Sequence, residues 1–195
     1  MLSDVVCLNL DWVYDGVPFA EFFVPGAPAT AGSKRAFYNA KLGRAMIVPA
    51  NVKKEKPWRA VLSAFGLQEW LDGPIQVGPL ALVTEFVLKR PKGHFGSGRN
   101  AGALKALAPT WVESKPDTTK LVRCAEDALK GILWRDDNQV ACQVNLKRYA
   151  NPGEPTGAWI RVYRLRQKPQ EKVGDLPWEE RKNMNWAERA ANSSH

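Results

Sequence analysis

Four aspartates, Asp117, Asp127, Asp136 and Asp137, fall within 21 residues of a chain that otherwise carries an excess of positive charge. Carboxylates gathered on a basic background suit one chemistry in particular. A protein that cuts a phosphate backbone must bring negative charge beside negative phosphates. A divalent cation held by carboxylates permits this by polarising the phosphoryl oxygen and lowering the pKa of bound water. Magnesium takes oxygen ligands and keeps several waters, so two or three Asp suffice where phosphate supplies another ligand. Plainer readings of the same residues stand beside this one: Asp117 as a helix N-cap, and Asp136-Asp137-Asn138 as a polar turn.

The elements that must position these residues follow from periodicity. Residues 118–130 read as a helix that Asp117 can cap and Gly131 can end, with Leu121, Cys124, Ala125, Ala128 and Leu129 on one apolar face. Cys124 is then a core residue and not a nucleophile. Arg123 with Asp127, and Glu126 with Lys130, are four apart and read as surface ion pairs. Asp117 stands before this helix and Asp136-Asp137 after it, and twelve helical residues span about 18 Å at the usual rise. A site shared by both ends therefore needs a dimer contact or a strand that doubles back.

Residues 139–148 and 158–164 read as strands joined by a hairpin loop at 151–157. Upstream, residues 19–24 form a strand that stops at Pro25-Gly26-Ala27-Pro28. A hairpin of 36–39 and 45–48 surrounds Lys41-Leu42-Gly43. Residues 51–71 read as a helix interrupted or restarted at Pro57, and residues 80–88 as a buried central strand. A long Gly-rich loop precedes Lys115. The sum is an α+β domain over 1–166, a small mixed sheet with about two principal helices, followed by a polar tail at 167–195, loose or helical from 178 to 191.

Composition narrows the function. With 195 residues, 45% hydrophobic, and eight Trp, the chain can bury a real core. No window approaches the roughly 18 apolar residues of a membrane span, and the start lacks the pattern of a signal peptide. Three widely spaced cysteines, Cys7, Cys124 and Cys142, without a CxxC pair, point to a reducing, cytoplasmic setting. The net charge of +8 is concentrated: residues 34–59 hold +7 and residues 89–115 hold +5. Such a distribution suits a polyanion held by several cations at once. Candidate DNA contacts are Lys34, Arg35, Arg44, Lys89, Arg90, Lys92, Arg99, Lys115 and Lys120. Gly96-Ser97-Gly98 is not a nucleotide-binding glycine motif in this context, so no nucleotide cofactor is expected. Phe95 and Trp111 are too few to favour a general single-strand binder.

KPDTTKLVRCAEDALKGILWRDDNQV, residues 115–140, resembles the signature of the RusA family of Holliday junction resolvases, approximately K-P-D-x-D-[NK]-L-x-[KR], then D-A-L, then D-D-x-Q-[VI]. Lys115, Pro116, Asp117, Lys120, Leu121, Arg123, Asp127-Ala128-Leu129, Asp136-Asp137 and Gln139 are in register with it. Residues 23–28 look like the family's opening strand and turn, and in all the resemblance covers residues 19 to about 166, as in phage-type members. It implies a magnesium-dependent endonuclease, with manganese a substitute, that acts as a homodimer on four-way or branched DNA in recombination and repair. Two-fold symmetry suits a junction with two equivalent scissile phosphates. Carried over, Asp117, Asp137, Asp136 and Asp127 are the metal-binding candidates, with Arg123 placed to hold the scissile phosphate or steady charge in the transition state. The bacterial or phage-infected cytoplasm is the implied location. Thr119 departs from the pattern, standing where a second acid is usual. That departure supports a competing reading, a branched-DNA-binding protein that does not cleave.

Overall fold

The computed structural model describes residues 16–32, 34–49 and 52–166. Among these residues six strands and two α-helices follow in chain order: β1 (Ala20–Pro25), β2 (Lys34–Asn39), β3 (Arg44–Pro49), α1 (Val52–Glu69), β4 (Leu80–Leu88), α2 (Thr118–Leu129), β5 (Val140–Tyr149) and β6 (Gly157–Arg164). The expected tail lies outside the described residues.

β4 is the strand that organises the rest. Its nine residues LALVTEFVL are all buried, and it lies inside a four-stranded sheet ordered β1-β6-β4-β5. It runs parallel to β5 and antiparallel to β6, and β6 runs antiparallel to β1. A strand covered on both faces reads as a continuous apolar run, which is what the sequence presents here. On one face Leu80, Leu82 and Phe86 join Ile160, Val162, Phe22 and Val24 in a core closed by Trp58 and Leu62 of α1 and by Leu121, Cys124, Ala125 and Leu129 of α2. Truncating a fully buried leucine in such a core costs about 2–5 kcal/mol. Burial also pushes the Cys124 thiol up to about 12, as a core cysteine requires.

Three expectations are corrected. Strands β5 and β6 do not form a hairpin, since β4 lies between them. The connection instead crosses the end of β4, and it is pinned by charge. Arg148 pairs with Glu85, which is 6% exposed, and forks onto Glu154 through two bonds of 2.6 Å. Helix α1 runs unbroken through Pro57, which removes one backbone donor from a solvent-facing stretch without ending the helix. The ion pairs expected along α2 are absent among the described residues: Glu126 accepts from Gln143 at 2.6 Å, and Lys130 turns to Asp136 and Asp137. The β2–β3 hairpin forms a separate two-stranded sheet.

β5 differs from its neighbours. Its residues Gln143, Asn145 and Lys147 pair with Leu82, Thr84 and Phe86, and so share the helix-covered face. This polar row lies along α2 and joins into one network: Asn145 accepts from Thr84 at 2.7 Å and donates to Gln143, which donates to Glu126.

Candidate active site

Asp117 occupies the N-cap position of α2 with extended backbone (φ −68°, ψ 133°), but its side chain caps nothing. Its carboxylate pairs instead with Lys120 Nζ at 2.8 Å. That hydrogen bond and charge, with Lys115 and Lys147 nearby, hold the Asp117 carboxyl below the usual carboxylate range. The corner leading into α2 is fixed from the sheet: Lys147 Nζ donates to the carbonyls of Ser114 and Pro116 at 2.7 and 2.9 Å. An open cavity of about 230 Å³ results, lined by Thr30, Lys115, Pro116, Asp117 and Lys120. Three lysines around an ionised carboxylate form a place where a phosphate and a carboxylate can both be accommodated.

The other end of α2 is built differently. Gly131, with φ +78°, turns the chain out of the helix, a conformation that glycine adopts without steric cost. Asp136 then caps the single 3-10 turn at Asp137–Gln139, accepting from the Asn138 amide, while the Gln139 side chain reaches back to the Arg135 and Asp136 amides. Lys130 sits between both acids, 3.1 Å from Asp136 and 3.7 Å from Asp137. The hydrogen bond from Lys130 holds the Asp136 carboxyl below its ordinary value, and the same contact raises the Lys130 ammonium. Asp137 accepts from the indole of fully buried Trp134 at 3.3 Å. Burial pushes the Glu126 carboxyl up, and the charges of Asp137 and Asp127 add to that.

The structure therefore does not bring the expected carboxylates together. Asp117 is at one end of α2 and Asp136-Asp137 at the other, about 18 Å away by the helical rise, and β5 runs back beside the helix without carrying one end to the other. Among the described residues no group of three or more His, Cys, Asp or Glu could hold a metal ion. Within one chain Asp136 and Asp137 lie together, but Asp117 does not join them in a single site. Asp127 lies in the last turn of α2, its backbone carbonyl accepting from Arg59 at 2.9 Å. Arg123 is exposed on α2, and its guanidinium lies so close to Gly32 that a Cβ there would come within 3.2 Å of it.

The cationic candidates separate as well. Arg44, Lys89, Lys92, Arg99 and Lys115 are exposed, and Lys34 and Arg35 fall on β2. Lys120 is exposed but committed to Asp117. Arg90 is a correction: it is 7% exposed, donates to the carbonyls of Ala150 and Pro109 at 2.9 and 2.7 Å, and lies over the Tyr149 ring. It anchors the long loop to the sheet and presents no charge to DNA. His94 packs edge-on against the same ring, so it too belongs to that anchor. Lys147, Gln143 and Glu126 were missed by the sequence reading. The available signal was the polar alternation Gln143-x-Asn145-x-Lys147 in a strand whose other neighbours are apolar.

An ionised aspartate among lysines, beside a basic loop of an α+β domain, is an arrangement compatible with the handling of nucleic-acid phosphates. The chain belongs to the endodeoxyribonuclease RusA family, whose model matches residues 25–163 and so includes both ends of α2. That family consists of Holliday junction-resolving endonucleases. No curated protein matches the chain. Among the described residues no helix is long and apolar enough to cross a membrane.

Proposed function

We propose that this protein is a structure-selective endodeoxyribonuclease that resolves four-way DNA junctions by paired, magnesium-dependent nicks in opposite strands, working as a homodimer in the cytoplasm. The observation that supports it most is the Asp117 corner, which lies inside the matched span and keeps an ionised carboxylate exposed among Lys115, Lys120 and Lys147. In this reading Lys115 and Lys120, which line the cavity, hold the scissile phosphate, and Arg123 takes up charge that develops on it. Because one chain separates its carboxylates, the acidic set is shared: the Asp117 end of one copy meets the Asp136-Asp137 end of another. When bound there, magnesium or manganese would supply an activated water and Lewis acidity.

The test is incubation of purified protein with a labelled four-way junction and a matched linear duplex, with magnesium or EDTA. Symmetric nicks confined to the junction and to magnesium are expected, and cutting of linear duplex at the same rate would overturn the reading. One alternative has a specific observation in its favour. Thr119 replaces the usual second acid, and among the described residues of one chain no three acids, His or Cys converge, as a branched-DNA-binding protein that does not cleave would show. Tight junction binding without nicks in either magnesium or manganese would establish that alternative.

A further inference from the structure

The segment from Pro25 to Thr30 walls two cavities. At one end Thr30 borders the Asp117 cavity. At the other, Pro25, Ala27 and Pro28 face Pro57, Trp58 and Val61 of α1 across an open cavity of about 450 Å³. This volume falls within the roughly 300–1,000 Å³ typical of small-molecule sites. Its walls are apolar rings and methyls, which suit a flat heteroaromatic ring.

Its rim is different in kind. Lys53 and Lys54 line it from the first turn of α1, where the helix dipole also favours an anion. One hydrogen-bonding group of a lining residue is left unused: among the described residues the buried indole N–H of Trp58 has no acceptor. Gly26, at φ +140°, lets the chain lie against the indole, since a Cβ there would come within 3.2 Å of the ring.

We propose that this cavity receives the base of an unpaired nucleotide whose phosphate rests on Lys53 and Lys54, and that the strand continues along Pro25–Thr30 into the Asp117 cavity. The inference rests on the endonuclease reading above and gives its substrate a second point of attachment. A cavity whose walls are mainly apolar offers every base the same ring contacts, so the subsite adds affinity with little sequence preference. Extrusion of a paired base costs a few kcal/mol and is cheapest where pairing is already disturbed, as at a branch point. The cavity therefore favours branched over linear DNA.

The test uses the full chain and two probes: a short single strand carrying 2-aminopurine, and a four-way junction with 2-aminopurine next to the branch point. Ala27→Trp fills the cavity from an exposed position, and Ala27→Ser serves as its conservative control. On the parent and Ala27→Ser, 2-aminopurine fluorescence should rise on binding. Ala27→Trp should abolish that rise and weaken single-strand binding about tenfold. A Lys53→Ala/Lys54→Ala protein should lose about one to two units of salt slope. Parent and Ala27→Trp behaving alike on both probes would overturn the proposal and leave the cavity to an apolar peptide. Nicking is scored on the same samples. A parent that gives the signal but does not nick breaks the endonuclease reading alone, and one that nicks without an Ala27-sensitive signal breaks the subsite alone.

Discussion

The two ends of α2 carry the same residue type in opposite circumstances. Asp117 sits at the N-terminus, where the helix dipole favours an anion, yet it does no capping and faces an open cavity among lysines. Asp136 and Asp137 follow the C-terminus, where the dipole disfavours them, and are offset by Lys130, the Trp134 indole and a capped turn. One end pairs its charge with a single exposed lysine beside an open cavity; the other also uses its charges to hold a turn together. Chemistry is expected to depend most steeply on the first, and stability on the second.

The largest effect is therefore expected at Asp117. Asp117→Asn should slow junction nicking by more than about a hundredfold, or roughly 2.7 kcal/mol of barrier, while leaving thermal stability and junction binding near the parent's. Nicking by Asp117→Asn at the parental rate would remove the contrast altogether.

The shared acidic set makes a second prediction. Asp117→Asn and Asp137→Asn, each inactive alone, should regain activity when co-expressed. Half of the dimers formed at equal expression are mixed, and each of these has one intact composite site, so roughly a quarter of the parental nicks should return. Sites confined within single chains give no rescue, because every site then carries a lesion. The measurement is single-strand nicking of the junction by the co-purified mixture.

Part of this contrast is legible in the amino-acid sequence alone. The buried strand 80–88, the helix after Asp117 and the core role of Cys124 were legible because burial leaves a periodic trace. The β5–β6 connection was not. A seven-residue Pro/Gly loop looks the same whether it joins paired strands or crosses a third, and what decides here is Arg148 meeting Glu85 sixty-three residues away. Arg90 misled for a related reason, since composition counts charges and cannot see which of them are used to hold carbonyls. At the site, the identity of Asp117 was legible from its motif, whereas the lysine that fixes its corner lies on another strand.

That lysine gives the third prediction. Lys147 donates to the carbonyls of Ser114 and Pro116 and so holds the corner, and its charge also reaches Asp117. Lys147→Met should lower kcat for nicking about tenfold with little change in KM and cost about 1–2 kcal/mol of stability. Lys147→Arg, which can still donate to both carbonyls, should recover most of the loss. A purely structural lysine would give the stability change with kcat intact, and would make the Asp117 end independent of β5.

The smallest effect belongs to the far end. Burial, then the charges of Asp137 and Asp127, push the Glu126 carboxyl up, so the folded protein holds that proton to a higher pH than the unfolded chain. The stability this contributes is complete below the ordinary carboxylate range and is lost as pH rises through the raised folded value. At neutral pH an ionised Glu126 is thus a net cost, borne in return for the bond from Gln143. Glu126→Gln stays neutral and keeps an acceptor for Gln143. It should raise Tm at pH 7 by the equivalent of less than about 1 kcal/mol, allowing for screening at a half-exposed site, with the gain vanishing as pH falls toward 4 and below. An equal gain at both ends of that range would mean that packing, and not the crowding of carboxylates beside Asp137, sets this end of the helix apart.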